Sequence, residues 1–509
     1  MGIKWRNWAL PTAPLALALL ATGCVGTSDA GSEPKAGPAT SAARSVARVC
    51  AKPAPGPAKA PAGAVTVDPA VVGDLAAKTR SSPPNTTFWL RPGRHRLDPD
   101  RYSQVIPKKG NRYVGAPGAV LDGGKKNQYA FGGSARDVTI RHLTVQRFVA
   151  PHDEGVVNHD SADGWVIEHT TIQRNSAAGL MAGSRQQVRA NCLRDNGQYG
   201  MNAYKAKGRI TGLVVEDNEI VGNNTGDWER KRKGCGCTGG IKFWAVDGAD
   251  VRGNWVHDNR GTGLWADTNN NDFRIEGNVI EANDGAALIY ETSYNAVIRK
   301  NIIRRNNWVE GRRYADRGDT FPFATLYLSE SGGEPRIKAR TDKIDVSRNL
   351  LENNWSGITL WENADRFCNS PANTSSGDCT LLVKKTDRCA KPGIATAPLY
   401  ADCRWKTQRV DIHDNRFVLD KSVVECTVKC DRMAVLANYG TYPDWSPYKG
   451  ERVAEAITRK QHNRWRDNVY VGPWKFVAHD PSQVLDFGQW QNTPYRQDEG
   501  STFRARDGG

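Results

Sequence analysis

The sequence lacks an apolar run long enough to form a transmembrane helix. The apolar stretch near the N-terminus, Trp8 to Leu20, is interrupted by Pro11 and Pro14, and it is too short for a bilayer core about 30 Å thick. It follows Lys4 and Arg6 and ends in small residues, the pattern of a cleavable export signal. Residues 1–24 are therefore predicted to be a signal peptide rather than a membrane span.

Histidines are missing around the closest cysteine pair, Cys235 and Cys237, and this spacing is unlike that of zinc sites. No metal ligands are predicted. The chain has 11 cysteines, and setting Cys24 aside leaves an even number in a compartment where disulfides persist. Local disulfides, of undetermined pairing, are predicted between Cys426 and Cys430 and within one insertion that holds Cys368, Cys379, Cys389 and Cys403.

Acidic residues are outnumbered by basic ones, and the formal net charge is +15. Such a charge, with a basic cluster at Arg230 to Lys233, is typical of nucleic-acid binding. Export argues against a nucleic-acid partner. A basic surface outside the cell meets anionic polysaccharides or lipid headgroups, or is merely solvated.

The end of the signal, Ala21-Thr22-Gly23-Cys24, resembles the bacterial lipobox, although Ala21 stands where a large aliphatic residue is usual. By that resemblance Cys24 is lipidated, and the protein is attached to the outer face of the cell membrane by a lipid alone. Residues 25–64 are rich in Ala, Gly, Pro and Ser and are predicted to be a disordered linker.

The rest of the chain is dominated by a repeat of short alternating apolar segments separated by Asn. The segments around Asn254, Asn278 and Asn301 recur after 24 and then 23 residues. Each Asn is expected to supply a left-handed turn and to stack on its neighbours, with His142 and His169 in the same position in earlier repeats. Such a repeat buries its apolar row only by stacking, which predicts an all-β solenoid of about ten coils.

This pattern resembles the pectate-lyase-like superfamily of right-handed parallel β-helices. The resemblance implies a β-helix over residues 87–480, preceded by an N-terminal cap over 65–86, in which Val71, Val72 and Leu75 cover the first coil, and followed by a C-terminal tail over 481–509. In that superfamily the third strand of each coil lines the substrate groove.

The third strands align as five-residue segments such as Gly263 to Asp267, whose third and fifth members point outward because side chains alternate along a strand. The outward positions hold aromatic and charged residues, a composition typical of a sugar-binding groove. Predicted substrate-binding residues in these columns are His159, Tyr204, Lys242, Trp244, Trp265, Tyr327 and Trp361. The predicted partner is a polysaccharide or oligosaccharide, bound by a monomer.

Asp267 and Glu291 occupy the same outward column one coil apart, about 4.8 Å by strand spacing. Retaining glycosidases hold two carboxyl groups about 5–5.5 Å apart. These two segments also resemble those of β-helix glycoside hydrolases, including the β-xylosidase family of this fold, which implies Asp267 as nucleophile and Glu291 as acid/base without a cofactor. The alternative structural interpretation is two acids that support a calcium ion or an arginine.

Two other functions remain open from the sequence. A polysaccharide lyase or epimerase acting on uronates would use Lys242 or the basic loops to neutralise a carboxylate, and a lyase would add a need for calcium. Pro151-His152-Asp153-Glu154 resembles, in altered order, the Asp-Pro-His-Glu motif of alginate epimerases. The third function is a non-catalytic carbohydrate-binding β-helix protein.

Overall fold

The computed structural model describes residues 48–232, 239–318, 323–373, 378–391, 393–425, 429–438, 440–450, 456 and 460–505. Cys24, Cys235, Cys237, Cys426 and the signal peptide lie outside these ranges. No helix among the described residues is long and apolar enough to cross a membrane.

The strands form three parallel sheets, and from Gly155 to His479 successive strands pass through the three sheets in turn, which is the arrangement of a parallel β-helix. The first sheet has 13 strands: Val65–Val67, Thr87–Leu90, Arg112–Gly115, Thr139–Arg141, Val166–Glu168, Gln187–Arg189, Ile210–Glu216, Val246–Arg252, Asn271–Glu276, Ala296–Arg299, Ile344–Ser347, Val410–His413 and Arg464–Arg466.

The second sheet also has 13 strands: Gly93–Arg96, Ala119–Asp122, Thr144–Gln146, Thr171–Gln173, Cys192–Arg194, Glu219–Val221, Trp255–His257, Val279–Glu281, Ile302–Arg304, Leu350–Glu352, Arg416–Val418, Val469–Val471 and Thr502–Arg504. The third sheet has 10 strands: Gly155–Val157, Ala178–Met181, Tyr199–Ala203, Gly239–Phe243, Thr262–Ala266, Leu288–Glu291, Leu326–Ser329, Ile358–Asn363, Arg432–Asn438 and Lys475–His479.

Short helices lie at the ends of the stack and in its insertions. The α-helices are Asp74–Ser81, Trp228–Lys231, Trp308–Asp316, Leu399–Asp402 and Phe487–Gln491, and the 3-10 helices are Thr386–Cys389 and Gly393–Ala395. Apolar side chains from all three sheets, such as Ile275, Ile280 and Leu264, fill the interior of the coils. The predicted β-helix is therefore confirmed, with 10 to 13 strands in each sheet where about ten coils were expected.

Two ladders of buried asparagines join the coils. In the ladder between the first and second sheets, the Asn278 side chain donates to Asn301 Oδ1 at 3.0 Å and to the Val251 carbonyl at 2.9 Å, and its Oδ1 accepts from the Asn254 side chain at 2.9 Å. The second ladder passes through Asn223, Asn259, Asn283 and Asn306. The predicted stacking of amides is confirmed.

The ladder Asn was expected to adopt the left-handed turn conformation, but the residue before it does so. Asp217, for example, has φ 55° and precedes Asn218. His142 and His169 have φ 56° and 50°, so they occupy this turn position and not the Asn position. Their rings stack on each other at 5.2 Å. The turn needs the left-handed residue to redirect the chain, and the next side chain then points into the stack.

The predicted boundaries of the solenoid are too narrow at both ends. Residues 65–67 already form the first strand, and Leu75 of the capping helix is buried, whereas Val71 and Val72 are 54% and 52% exposed and do not cap the coil. At the other end, Thr502–Arg504 pairs with Val469–Val471. The predicted C-terminal tail therefore contributes a further strand.

Part of the predicted linker is held against the solenoid. A disulfide joins Cys50 to Cys192, and Trp89 Nε1 donates to the Pro57 carbonyl at 3.1 Å. The linker predicted over 25–64 is thus a bound strap from Arg48 onward, because a disulfide and hydrogen bonds fix a segment whose composition alone predicts disorder.

Replacing a ladder residue tests how far the stack depends on these amides. Asn278→Ala removes the oxygen that accepts from both the backbone N–H and the side-chain amide of Asn254, and each buried group left without its partner costs about 1–3 kcal/mol. We expect a lower midpoint of urea unfolding, followed by circular dichroism. Arg416→Ala, at an exposed position of the second sheet, is the control; equal midpoints for the two variants would contradict a structural role of the ladder.

Candidate active site

The outward columns of the third sheet lie as the alignment predicts over most of its length. Lys242 pairs with Trp265, Trp265 with Ile289, and Ile289 with Tyr327. Glu291 continues into Ser329 and Trp361 in the second column. Trp265, Ile289 and Tyr327 pack together as an apolar cluster outside the core, with Trp361 against it.

The first predicted segment is out of register by one residue. Val157 pairs with Leu180, whereas the alignment placed Val156 there, and a shift of one residue moves a side chain to the other face of a strand. His159 therefore does not belong to the column of Tyr204. It follows the left-handed Asn158 and stacks on Tyr129 with ring centroids 3.7 Å apart.

Asp267 lies beside a lysine rather than open to solvent. Lys242 Nζ is 2.9 Å from Asp267 Oδ2, and Thr268 Oγ1 donates to Asp267 Oδ1 at 3.0 Å. The Lys242 ammonium also lies 4.5 Å from the centroid of the Trp265 ring. Lys242, predicted as a ligand for sugar, is thus the ion-pair partner of the predicted nucleophile.

Glu291 is held by two donors. Trp265 Nε1 donates to Oε2 at 3.1 Å, and Arg366 Nη1 forms an ion pair with Oε1 at 2.5 Å. Arg366 also lies 3.5 Å from Glu330 Oε2, so one buried guanidinium serves two carboxyl groups. Arg366 escaped the sequence analysis because it is distant in sequence and belongs to an insertion, not to the repeat.

The insertion after Asn363 covers the acidic column. Its disulfides, Cys368–Cys379 and Cys389–Cys403, agree with the local disulfides predicted within this insertion. Their sulfurs are therefore not free thiolates that could bind a metal. Asn269 donates to the Cys379 carbonyl at 2.8 Å. Consequently Asp267 and Glu291 are only 4% and 5% exposed, although both face away from the core.

A cleft of about 90 Å³ lies beside this covered column. Its floor is formed by Trp265, Ile289 and Tyr327, and Glu291 reaches it, whereas Asp267 is not among its lining residues. The wall of the cleft also includes Arg230, from the basic cluster noted in the sequence, and charged and aromatic side chains that the sequence analysis did not select: Asp227, Arg260, Asp284, Glu310, Tyr314 and Phe323.

A signal in the repeat could have identified part of that wall. Asn224, Arg260 and Asp284 each follow a residue of the second asparagine ladder. Since the ladder fixes the phase of every coil, the residue after each ladder Asn is repeatedly placed at the edge of the third sheet.

A hydrogen bond connects the His152–Asp153 motif to the third sheet. His152 Nδ1 is 2.7 Å from Asp153 Oδ2, Gln198 donates to Asp153 Oδ1 at 2.7 Å, and Asn202 donates to the Asp153 carbonyl at 3.0 Å. Burial alone would raise the pKa of Asp153, but His152, Gln198 and Lys242 hold it below its ordinary value. The motif thus adjoins Lys242.

Burial raises the pKa of Glu330 from 4.5 to about 7, with Arg366 opposing the shift and Glu291 adding to it. A carboxyl group whose pKa is higher in the folded state keeps its proton there while the unfolded chain has lost it. Stability from this group is therefore present below about pH 4.5 and is lost as pH rises to about 7.

We accordingly expect Glu330→Gln to remove this loss, which is on the order of 3 kcal/mol. The stability of the variant should therefore fall less than that of the wild type between pH 5 and pH 8. Thermal unfolding of both proteins at the two pH values measures this difference. Glu352→Gln, on the second sheet, is the control and should follow wild type. A parallel pH profile for Glu330→Gln would show that Glu330 is ionised throughout.

Comparison with known proteins agrees with the fold. The model of the right-handed β-helix region matches residues 154–367, which confirms the handedness expected from the pectate-lyase-like superfamily. No curated protein matches the sequence.

Solved structures similar to this chain include β-helix proteins of low identity. The A-module of the mannuronan C-5 epimerase AlgE4 from Azotobacter vinelandii is 13% identical, with 70% of this chain and 94% of that chain covered and a TM-score of 0.41. Pectate lyase Pel9A is 10% identical, with 68% of this chain and 70% of that chain covered and a TM-score of 0.33. The catalytic domain of a GH87 α-1,3-glucanase in complex with nigerose is 9% identical, with 72% of this chain and 66% of that chain covered and a TM-score of 0.33.

Proposed function

We propose that this protein is a carbohydrate-active enzyme, a glycoside hydrolase that cleaves an extracellular polysaccharide in the cleft beside Glu291. The observation that carries the proposal is the position of a carboxylate at the margin of an aromatic floor made by Trp265 and Tyr327. Aromatic faces pack on the apolar faces of sugar rings, and the carboxylate supplies the chemistry.

The neighbouring carboxylate of Asp267 supports the same reaction class. Asp267 directly follows Ala266, which pairs with Tyr290, the residue before Glu291. The two acids are thus in register on neighbouring strands, about 4.8 Å apart at the backbone. With Asp267 as nucleophile, as its resemblance to β-helix hydrolases implies, the product would retain its anomeric configuration.

The proposed place of action is outside the cytoplasm, on a lipid anchor at Cys24. Three disulfides among the described residues support an oxidising compartment. A tether ahead of the strap that begins near Arg48 would allow the cleft to reach polymers beyond the membrane surface.

Incubating the soluble protein with a panel of neutral and acidic polysaccharides tests the activity. We expect new reducing ends without ultraviolet absorbance from unsaturated sugars. Glu291→Gln and Asp267→Asn should each reduce the rate by at least about 100-fold, with an unchanged circular dichroism spectrum.

Glu352→Gln is the matched control, since Glu352 is an acid of the second sheet and is not among the residues that line the cleft, and it should keep the wild-type rate. Full activity of Glu291→Gln would remove Glu291 from the reaction. Binding without any turnover on the whole panel would favour a non-catalytic carbohydrate-binding protein.

A lyase or epimerase acting on uronates is the second candidate. It is favoured by the cluster of His152, Asp153 and Lys242. A base next to a cation suits removal of the proton beside a uronate carboxylate, because the cation neutralises that carboxylate. Unsaturated products in the same assay, or a changed ratio of epimers, would favour this candidate over the hydrolase.

A further inference from the structure

The outward column that forms the floor of the cleft extends beyond the cleft in both directions along the third sheet. In order of strand pairing, the column runs through Asn202, Lys242, Trp265, Ile289, Tyr327, Thr359 and Ala434. A groove for the interior of a long polymer would keep this column accessible over many coils, because the polymer has to leave the groove at both ends. The exposure of the column therefore distinguishes a through-groove from a closed pocket.

Before the cleft, the column lies under the segment around Asp153. Asn202 is only 5% exposed, and its side chain donates to the Asp153 carbonyl at 3.0 Å. Gln198 fixes the same segment, because it accepts from the Asp153 N–H and donates to Asp153 Oδ1. The His152 ring lies 4.6 Å from the ring of Trp228, which begins a short helix at the cleft wall. The column is thus closed on the N-terminal side of the cleft.

Beyond the cleft, the column is buried as well. Thr359 and Ala434 are each 0% exposed. Trp361 packs against the apolar cluster that contains the floor, and also against the cluster of Ala434 and Val477. The column therefore offers no surface to a ligand in these coils, and a polymer chain cannot continue along it past Tyr327.

Between these closed stretches the cleft is short and narrow. Its floor covers three neighbouring strands, from Trp265 to Tyr327, which is two strand spacings or about 10 Å. The floor residues are only 4% to 7% exposed, and the cavity volume is about 90 Å³. Pockets that enclose drug-sized ligands measure about 300–1,000 Å³. The cleft is therefore too small for a stretch of polymer.

Aromatic rings form the wall at the end of the floor. The Phe323 ring lies 6.4 Å from the ring of Tyr327, the last floor residue, and stacks on Tyr314 at 4.7 Å. Phe323 and Tyr314 both line the cleft. A sugar on the floor would thus meet a ring wall at the point where the column becomes buried.

We propose that the cleft takes the end of a carbohydrate chain and not its interior, so that the protein removes terminal sugars one at a time. The terminal sugar enters from solvent, with its apolar face on Trp265 and the bond to the next sugar beside Glu291. The rest of the chain extends away from the sheet. This inference rests on the proposed hydrolase activity and adds its substrate class, which is chain ends and short oligosaccharides.

The test uses the polysaccharide that the wild-type protein hydrolyses. We expect a monosaccharide as the first small product, with a slow loss of viscosity relative to the appearance of reducing ends. The two chain ends are then blocked separately, one by borohydride reduction and the other by a cyclic acetal on the terminal sugar. One of these blocks should abolish release and so identify the end that is recognised.

An early ladder of oligosaccharides with a fast loss of viscosity would overturn the inference and leave the hydrolase standing. Release that neither block affects would do the same.

A variant of the wall tests whether the closed end limits the substrate. Phe323→Ala lengthens the pocket past Tyr327, so the first products should then include disaccharides, which chromatography of early samples detects. Tyr102→Ala is the control, since Tyr102 is 65% exposed and is not among the residues that line the cleft, and it should release monosaccharide alone. Identical products from the two variants would overturn the limiting role of the wall.

If the wild-type protein hydrolyses no polymer, the proposed hydrolase fails, and binding measured by calorimetry decides the inference on its own. Short oligosaccharides with free ends should bind, and the same oligosaccharides with both ends blocked should not. Equal binding of the two forms would overturn the chain-end inference, and absence of binding by either form would overturn it together with the hydrolase.

Discussion

The rest of the structure depends on the hydrogen bonding of buried asparagine amides between coils. Each interior ladder residue, such as Asn278, bonds the Asn of the coil before and after it and a backbone carbonyl. A slip of one residue would leave several of these buried groups unpaired, which is costly. The ladders therefore fix the phase of the coils, and the phase in turn fixes which side chains form the outer face of the third sheet.

On that face, neighbouring cations compensate the buried acids. Lys242 forms an ion pair with Asp267, and Arg366 forms ion pairs with both Glu291 and Glu330. Buried charges persist only when they are paired, so the disulfide-linked insertion that supplies Arg366 is an integral part of the site. The cleft beside the column is lined by charged side chains of both signs and by aromatic rings.

The sequence predicted the features that repeat. The stacked columns that contain Trp265 and Glu291 follow from strand alternation and the Asn period, and they are found as expected. Errors arose where the repeat is weakest: the turn at His142 was assigned one position off, and His159 was placed in the wrong column. At these positions a single residue decides the face, and early coils with few Asn residues do not mark it.

By itself, the sequence determined the solenoid, its core, and the outward columns of the third sheet, because each coil repeats the same local rule. Only the tertiary structure decided which acids are compensated, which face the cleft, and where the strap and the insertion lie. Arg366 is 75 positions from Glu291, and Cys50 is 142 from Cys192. Contacts of this kind arise from the packing of irregular segments onto a completed stack, and no periodic pattern encodes them.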